Sequence, residues 1–263
     1  MVFDAHCYLG RNPIWEAQGM PATMQGEDMI AYMDRGGVER ALCAPPGVGA
    51  ADHFAADHER IAQAIADYPD RIYGFVRVKP TRGQTAIDEM YYWLRELGFH
   101  AVKFNTIDAS PYGAGFYSLA DRALMGPVLE AIAALQVPVM IHTGEEHGHT
   151  CTPALVANLA LDFPQITFII AHAGVPGFLD EVVPFMQRAE NTLVDLAGVL
   201  RPIYVQNLVN GVGAARVLNA TNAPHMPIEF GPQLIERHCR QLTAAQKEAI
   251  LGGNTMRLLQ LSA

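Results

Sequence analysis

Short apolar runs alternate with longer stretches of helical spacing from one end of the chain to the other. Eight runs have the length of a strand: Val2–His6, Ala41–Ala44, Ile72–Val78, Ala101–Asn105, Val139–His142, Phe168–His172, Leu193–Leu196 and Val217–Thr221. Between them apolar residues recur at three- and four-residue intervals, as in Ile61, Ile65 and Tyr68, or Leu129, Ile132 and Leu135. That spacing lines one face of a helix. Strand ends return about every thirty residues, the length of one strand–helix unit. Eight such units predict a single (β/α)8 TIM barrel over residues 1–263 rather than an open doubly wound sheet. No GxGxxG follows the first strand, which removes the main signal for a dinucleotide-binding sheet. Near the end, Thr243–Leu251 and Asn254–Leu261 read as two closing helices, with Thr243 as N-cap and Gln246 as its capping-box partner.

Every second side chain of a strand points the same way. Asp4, His6 and Tyr8 are therefore expected on one face of the first strand, Lys103 and Asn105 on one face of the fourth, and Met140 and His142 on the fifth. Ile170 and His172 share a face of the sixth strand, and Ala220 and Asn222 share one at the eighth. In a barrel these polar residues converge at the C-terminal mouth, where polar side chains read as site residues because the layers below are aliphatic. A lone histidine at a strand end is more often a hydrogen-bonded structural group. Three at the ends of strands one, five and six argue against chance placement, and convergent imidazoles suit zinc and similar ions.

The composition narrows the partners. A net charge of −9 with no basic run argues against nucleic acid. The longest apolar runs are far too short to span a bilayer, so no membrane partner is expected. Cys7, Cys43, Cys151 and Cys239 are scattered without a CxxC pair and read as free thiols of a reducing compartment. With no charged leader and apolar stretch ahead of Val2-Phe3-Asp4-Ala5-His6, a cytoplasmic location is the expectation. The partner expected is a small anionic molecule; a homo-oligomer is compatible with the sequence.

Five segments together resemble the amidohydrolase-related (amidohydrolase 2) family. They are Phe3-Asp4-Ala5-His6-Cys7-Tyr8-Leu9-Gly10, Val139-Met140-Ile141-His142-Thr143-Gly144, Ile170-Ala171-His172-Ala173-Gly174, Ala220-Thr221-Asn222-Ala223-Pro224-His225 and Ile250-Leu251-Gly252-Gly253-Asn254. Each string is weak alone; their order and spacing over the whole chain are specific for the fold and not for a reaction. The resemblance implies a divalent metal, zinc first and manganese second, held by His6 and His142. It implies proton transfer by His172 and a role for Asn222 at the position where the family carries an aspartate. Tyr8, Lys103, Asn105 and Glu145 are then expected around the substrate.

Two residues depart from the family pattern. Tyr8 replaces the second histidine of the first-strand HxH, and Asn222 replaces the strand-eight aspartate. A neutral amide cannot act as a base, and a phenol is a poor ligand unless the metal deprotonates it. Glu145, in the acidic and histidine-rich loop Gly144–Cys151, is a candidate replacement ligand, although a solvated loop explains its composition equally well. Lys103 reads as a neutralising cation for a substrate carboxylate. Arg77, Lys79 and Arg201 could serve anions or lie on the surface, and Asp195 could orient an imidazole or serve structure alone. Three functions follow: a metal-dependent hydrolase or decarboxylase of a small carboxylate or lactone, a metal-independent lactonase-like enzyme, or a barrel that binds without catalysis.

Overall fold

The computed structural model describes residues 1–46, 53–109 and 116–261. Among the described residues ten strands run in chain order: β1 (Phe3–Tyr8), β2 (Gly10–Arg11), β3 (Thr23–Met24), β4 (Arg40–Ala44), β5 (Ile72–Arg77), β6 (Ala101–Phe104), β7 (Val139–Ile141), β8 (Phe168–Ile170), β9 (Thr192–Asp195) and β10 (Val217–Leu218). Eight of them form one sheet in the order β1-β4-β5-β6-β7-β8-β9-β10, while β2 and β3 make a small hairpin outside it. Neighbouring strands of the large sheet pair in parallel. The last strand returns to the first: Ala5 N–H donates to the Asn219 carbonyl at 2.9 Å, and Cys7 bridges Ala223 in parallel. The expected TIM-barrel architecture is what the chain adopts.

Two packed layers hold it together. Inside the barrel, Phe3, Ala5, Leu42, Phe75, Ala101, Met140, Ile169 and Leu218 form one buried cluster, drawn from all but one of the large sheet's strands. Outside, the opposite faces of the strands pack on the helices through Val76, Val102, Val139, Ile141, Phe168 and Ile170. Each such side chain taken fully out of water contributes roughly 1.5–3 kcal/mol. Gly74 in β5 shows how tight the outer layer is. A Cβ there would lie 2.8 Å from side-chain carbons of Ile61 and Phe99. Among the described residues no helix is long and apolar enough to cross a membrane. The four cysteines are free and buried, as expected.

Four local departures from the expected pattern bear on the site. First, β1 carries one extra residue: Asp4 pairs with Ala41 but Cys7 with Cys43, so three steps oppose two. This bulge flips the alternation. Phe3 and Ala5 face the barrel interior, and so does Tyr8, whereas Cys7 belongs to the outer layer. Asp4 thus does not share the face of His6 and Tyr8. Second, β8 ends at Ile170. His172 (φ 63°) and Ala173 (φ 47°) adopt left-handed backbone in a tight turn, so His172 is set by that turn and not by alternation with Ile170. Third, β10 ends at Leu218, and Asn222 also sits at positive φ, 65°. Asparagine tolerates that region better than most residues. Fourth, the two closing helices are one continuous helical path, because residues 249–253 form a π turn between helical stretches at Ala244–Glu248 and Asn254–Leu258. The Thr243–Gln246 capping box is present as expected.

Candidate active site

The bulge in β1 aims two side chains into the mouth. Asp4 stabilises it from behind: its carboxylate accepts His6 N–H and Thr221 N–H, both at 3.1 Å, and the Thr221 hydroxyl. It binds β1 to the segment before Asn222, a role that alternation hid. Burial pushes the Asp4 carboxyl up to about 6, against the lowering effect of those donors. Asn222 N–H in turn donates to the His6 carbonyl at 2.9 Å.

His6 is fully buried, and both of its ring nitrogens are engaged. Nδ1 lies 2.9 Å from Asp195 Oδ2, and Nε2 lies against Lys103 Nζ and 3.2 Å from the Tyr8 hydroxyl. Lys103 Nζ also donates to the Tyr8 oxygen at 3.1 Å and stands 4.7 Å from the centre of its ring. With Nδ1–H donating to Asp195, His6 Nε2 carries a lone pair and accepts from the amine. Asp195, at the end of β9, holds this tautomer. Its other oxygen accepts His172 N–H at 2.8 Å and Ala197 N–H at 3.0 Å. Both sequence readings of Asp195 appear in its contacts: one oxygen meets the His6 ring and the other ties two backbone N–H groups.

His172 Nδ1 lies 3.3 Å from the Ala197 carbonyl, which can only accept, so Nδ1 bears the proton. Its Nε2 is then a lone-pair nitrogen, buried and without a hydrogen-bond partner. The rings of His6 and His142 stand 5.0 and 4.6 Å from that of His172, which sits between them. Burial holds His6 and His172 well below the usual imidazole range; neighbouring Lys103 adds to this for His6, and His142 for His172. Burial, then Arg77, drives the Lys103 ammonium well down, and burial raises the Tyr8 phenol. Burial thus biases His6, His172 and Lys103 toward their neutral forms around the Asp195 carboxylate.

The remaining residues divide. Asn105 is buried, but its amide oxygen faces Ile107 N–H at 3.4 Å, and its carbonyl accepts Asp108 N–H at 3.0 Å, so it shapes the turn after β6. Glu145 is exposed, with its N–H on the Pro176 carbonyl at 2.9 Å and its side chain over Gly177. Its contacts are with the turn at Pro176 and Gly177. Asn222 has a buried amide oxygen without a hydrogen-bond partner. Arg77 forms a buried two-bond pair with Asp108, at 2.8 Å each, and donates to the Pro45 carbonyl. That arginine is structural. The His225 ring meets Tyr8 edge-on at 5.5 Å and accepts Trp15 Nε1–H at 3.2 Å. A buried tryptophan with no periodicity of its own could not have signalled that contact.

Among the described residues, His6, His172 and Asp195 place ligand-type atoms within 4.8 Å of one another. This is an incomplete set for a divalent ion, and it does not fit one as it stands. Lys103 holds His6 Nε2, the nitrogen a metal would need. Asp195 spends its oxygens on His6 and two backbone N–H groups. The ring of His142, expected as a ligand, packs on that of His172. Tyr8 and Asn222 supply no anion to offset the lysine.

The comparisons with known proteins agree with the architecture. The fold matches 5-carboxyvanillate decarboxylase from Novosphingobium aromaticivorans, solved with manganese and 3-methoxy-4-hydroxy-5-nitrobenzoic acid, at TM-score 0.79 and 17% identity, covering 99% of this chain and 97% of that one. It matches a dihydroxybenzoic acid decarboxylase from Polaromonas sp., with manganese and 2-nitroresorcinol, at TM-score 0.78 and 16% identity over 98% and 96%. It also matches 4-oxalomesaconate hydratase from Rhodopseudomonas palustris at TM-score 0.69 and 19% identity over 99% and 96%. At such identities the likeness shows the shared fold. No curated protein sequence matches. The amidohydrolase family model (Amidohydro_2) matches residues 3–261, nearly the whole chain. The chain belongs to the amidohydrolase family.

Proposed function

We propose that this barrel is a metal-independent enzyme acting on a small carboxylate, with decarboxylation or related carbon–carbon cleavage as the reaction class. The observation that carries the reading is the position of Lys103 Nζ, in contact with His6 Nε2 and 3.1 Å from the Tyr8 hydroxyl. An amine stands where the family pattern implies a metal. The fold neighbours named as decarboxylases support the substrate class.

His172 Nε2 is the free base of the site. It would take a proton from the substrate or return one to the carbon left after cleavage, since a buried lone-pair nitrogen is placed for either transfer. The Tyr8 phenol, kept protonated by burial, donates to a developing oxyanion. Asp195 fixes His6, and His6 fixes the amine. An incoming carboxylate would raise the proton affinity of Lys103 and His172. A metal-dependent reading keeps one support, the His6, His172 and Asp195 cluster beside manganese-holding fold neighbours. It requires Lys103 to leave.

The test is a screen of small aromatic and oxo carboxylates with exhaustively chelated protein, scored by released CO2. Turnover that persists in chelator supports the proposal. Turnover that needs added zinc or manganese favours the second reading, and no turnover across the screen leaves the binding-protein alternative.

A further inference from the structure

We propose that Lys103 is a nucleophile that forms an imine with a ketone carbonyl, and that the substrate is a small 3-oxo carboxylate. The inference rests on the metal-independent reading above and deepens it. Lys103 Nζ, His6 Nε2, His6 Nδ1 and Asp195 Oδ2 form a continuous chain of contacts across three strands, β6, β1 and β9. A nucleophile within reach of a base, and the base oriented by a third group, is the signature of an activated nucleophile. A buried cation placed only to attract an anion needs no imidazole lone pair turned on it.

The chemistry balances with the groups present. The Lys103 nitrogen attacks the ketone carbon, and His6 Nε2 relays the amine proton. Tyr8, 3.1 Å from Nζ, protonates the oxygen, which leaves as water from the carbinolamine. The resulting iminium accepts the electron pair of the bond to the carboxylate, so CO2 departs and an enamine remains. His172 Nε2 takes a proton from solvent and passes it to the enamine carbon; hydrolysis of the iminium then releases the ketone, restores the amine and returns a proton to Tyr8. No oxidant or reductant enters. Around this point Tyr8 and His142 are each 8% exposed and His172 is 7% exposed, which limits the access of water to the imine.

The chain has only three lysines, Lys79, Lys103 and Lys247, so an adduct can be assigned without ambiguity. The full-length protein is incubated with acetoacetate, reduced with borohydride and examined by intact mass and peptide mapping. The expected result is one reduced acetone-derived group per chain, on the peptide holding Lys103, and its absence from Lys103→Met. Tyr8→Phe should slow trapping by about 10²-fold or more, the scale of a lost proton donor, while the adduct stays on Lys103. An adduct confined to Lys79 or Lys247, or none on the parent with acetoacetate and its longer 3-oxo homologues, overturns the proposal. The mapping is made on the parent, so a variant that misfolds does not blur the result. Chelator-resistant decarboxylation without an adduct would leave the function reading standing and remove only the imine.

Discussion

Asp195 gives the residue scale its sharpest expectation, because one carboxylate fixes the tautomer of His6 and the backbone N–H of His172. Asp195→Asn keeps the shape but can present an amide N–H to Nδ1, which turns the His6 lone pair away from Lys103. Activity should fall by about 10²- to 10⁴-fold with near-parental thermal stability, a split that a purely structural role would not give. His172→Ala should remove activity to a similar extent and leave the fold intact; a variant within about threefold of the parent would deny it proton transfer. Asn222 gives a third expectation. Asn222→Asp suits the same left-handed backbone and adds an anionic oxygen. Combined with Tyr8→His and Lys103→Met it should bind zinc measurably, by calorimetry, more tightly than the parent by one to a few kcal/mol. Equal affinities would mean that the lysine, phenol and amide are not what disfavours the ion.

At the scale of elements, the mouth depends on irregularity as much as on regular strands. The bulge in β1 turns His6 and Tyr8 inward, and Asp4 and Thr221 hold it. Thr221→Val removes a hydroxyl that donates to Asp4 and accepts Ala223 N–H, leaving a buried carboxyl short of a donor. That should cost about 1–3 kcal/mol in chemical denaturation and also lower activity, since the bulge is released. Period-two reasoning found the barrel and brought His6, Tyr8, Lys103, His142 and His172 to one end. It failed for Asp4, because one inserted residue flips every later side chain and leaves no trace in the hydrophobic pattern. It placed His172 and Asn222 on strands when both stand at positive φ in turns, where a tertiary hydrogen bond decides and alternation does not. The contact between Lys103 and His6 spans ninety-seven positions in sequence and has no local signature. What the sequence did carry was the pair of departures, Tyr8 and Asn222, which already weighed against an ordinary metal site.

For the whole molecule, buried histidines set the response to acid. Burial holds His58 at about 3 and His100 at about 4, and it also lowers His6, His172 and His225. A base whose folded pKa is depressed contributes stability that is full above its unfolded value, near 6.5, and is lost as pH falls through the folded value. Each unit is worth about 1.4 kcal/mol. Asp4 runs the other way: its raised carboxyl stabilises most below about 4 and loses that contribution as pH climbs through about 6. The histidines outnumber it. Stability should thus fall from pH 6.5 downward, with the loss shallower than the histidines alone would impose between 6 and 4; a midpoint that rises on acidification would contradict the burial of these rings as neutral species.

The proposal that matters most is that this member of the amidohydrolase family centres its mouth on Lys103 and holds no resident ion. Elemental analysis of protein purified without chelator or added metal, followed by zinc titration of the same sample, addresses it most directly. The account predicts less than about one metal ion per ten chains and only weak uptake on titration, because an ion must displace a buried amine from His6 before it can bind. One tightly held ion per chain, lost on His6→Ala, would contradict it.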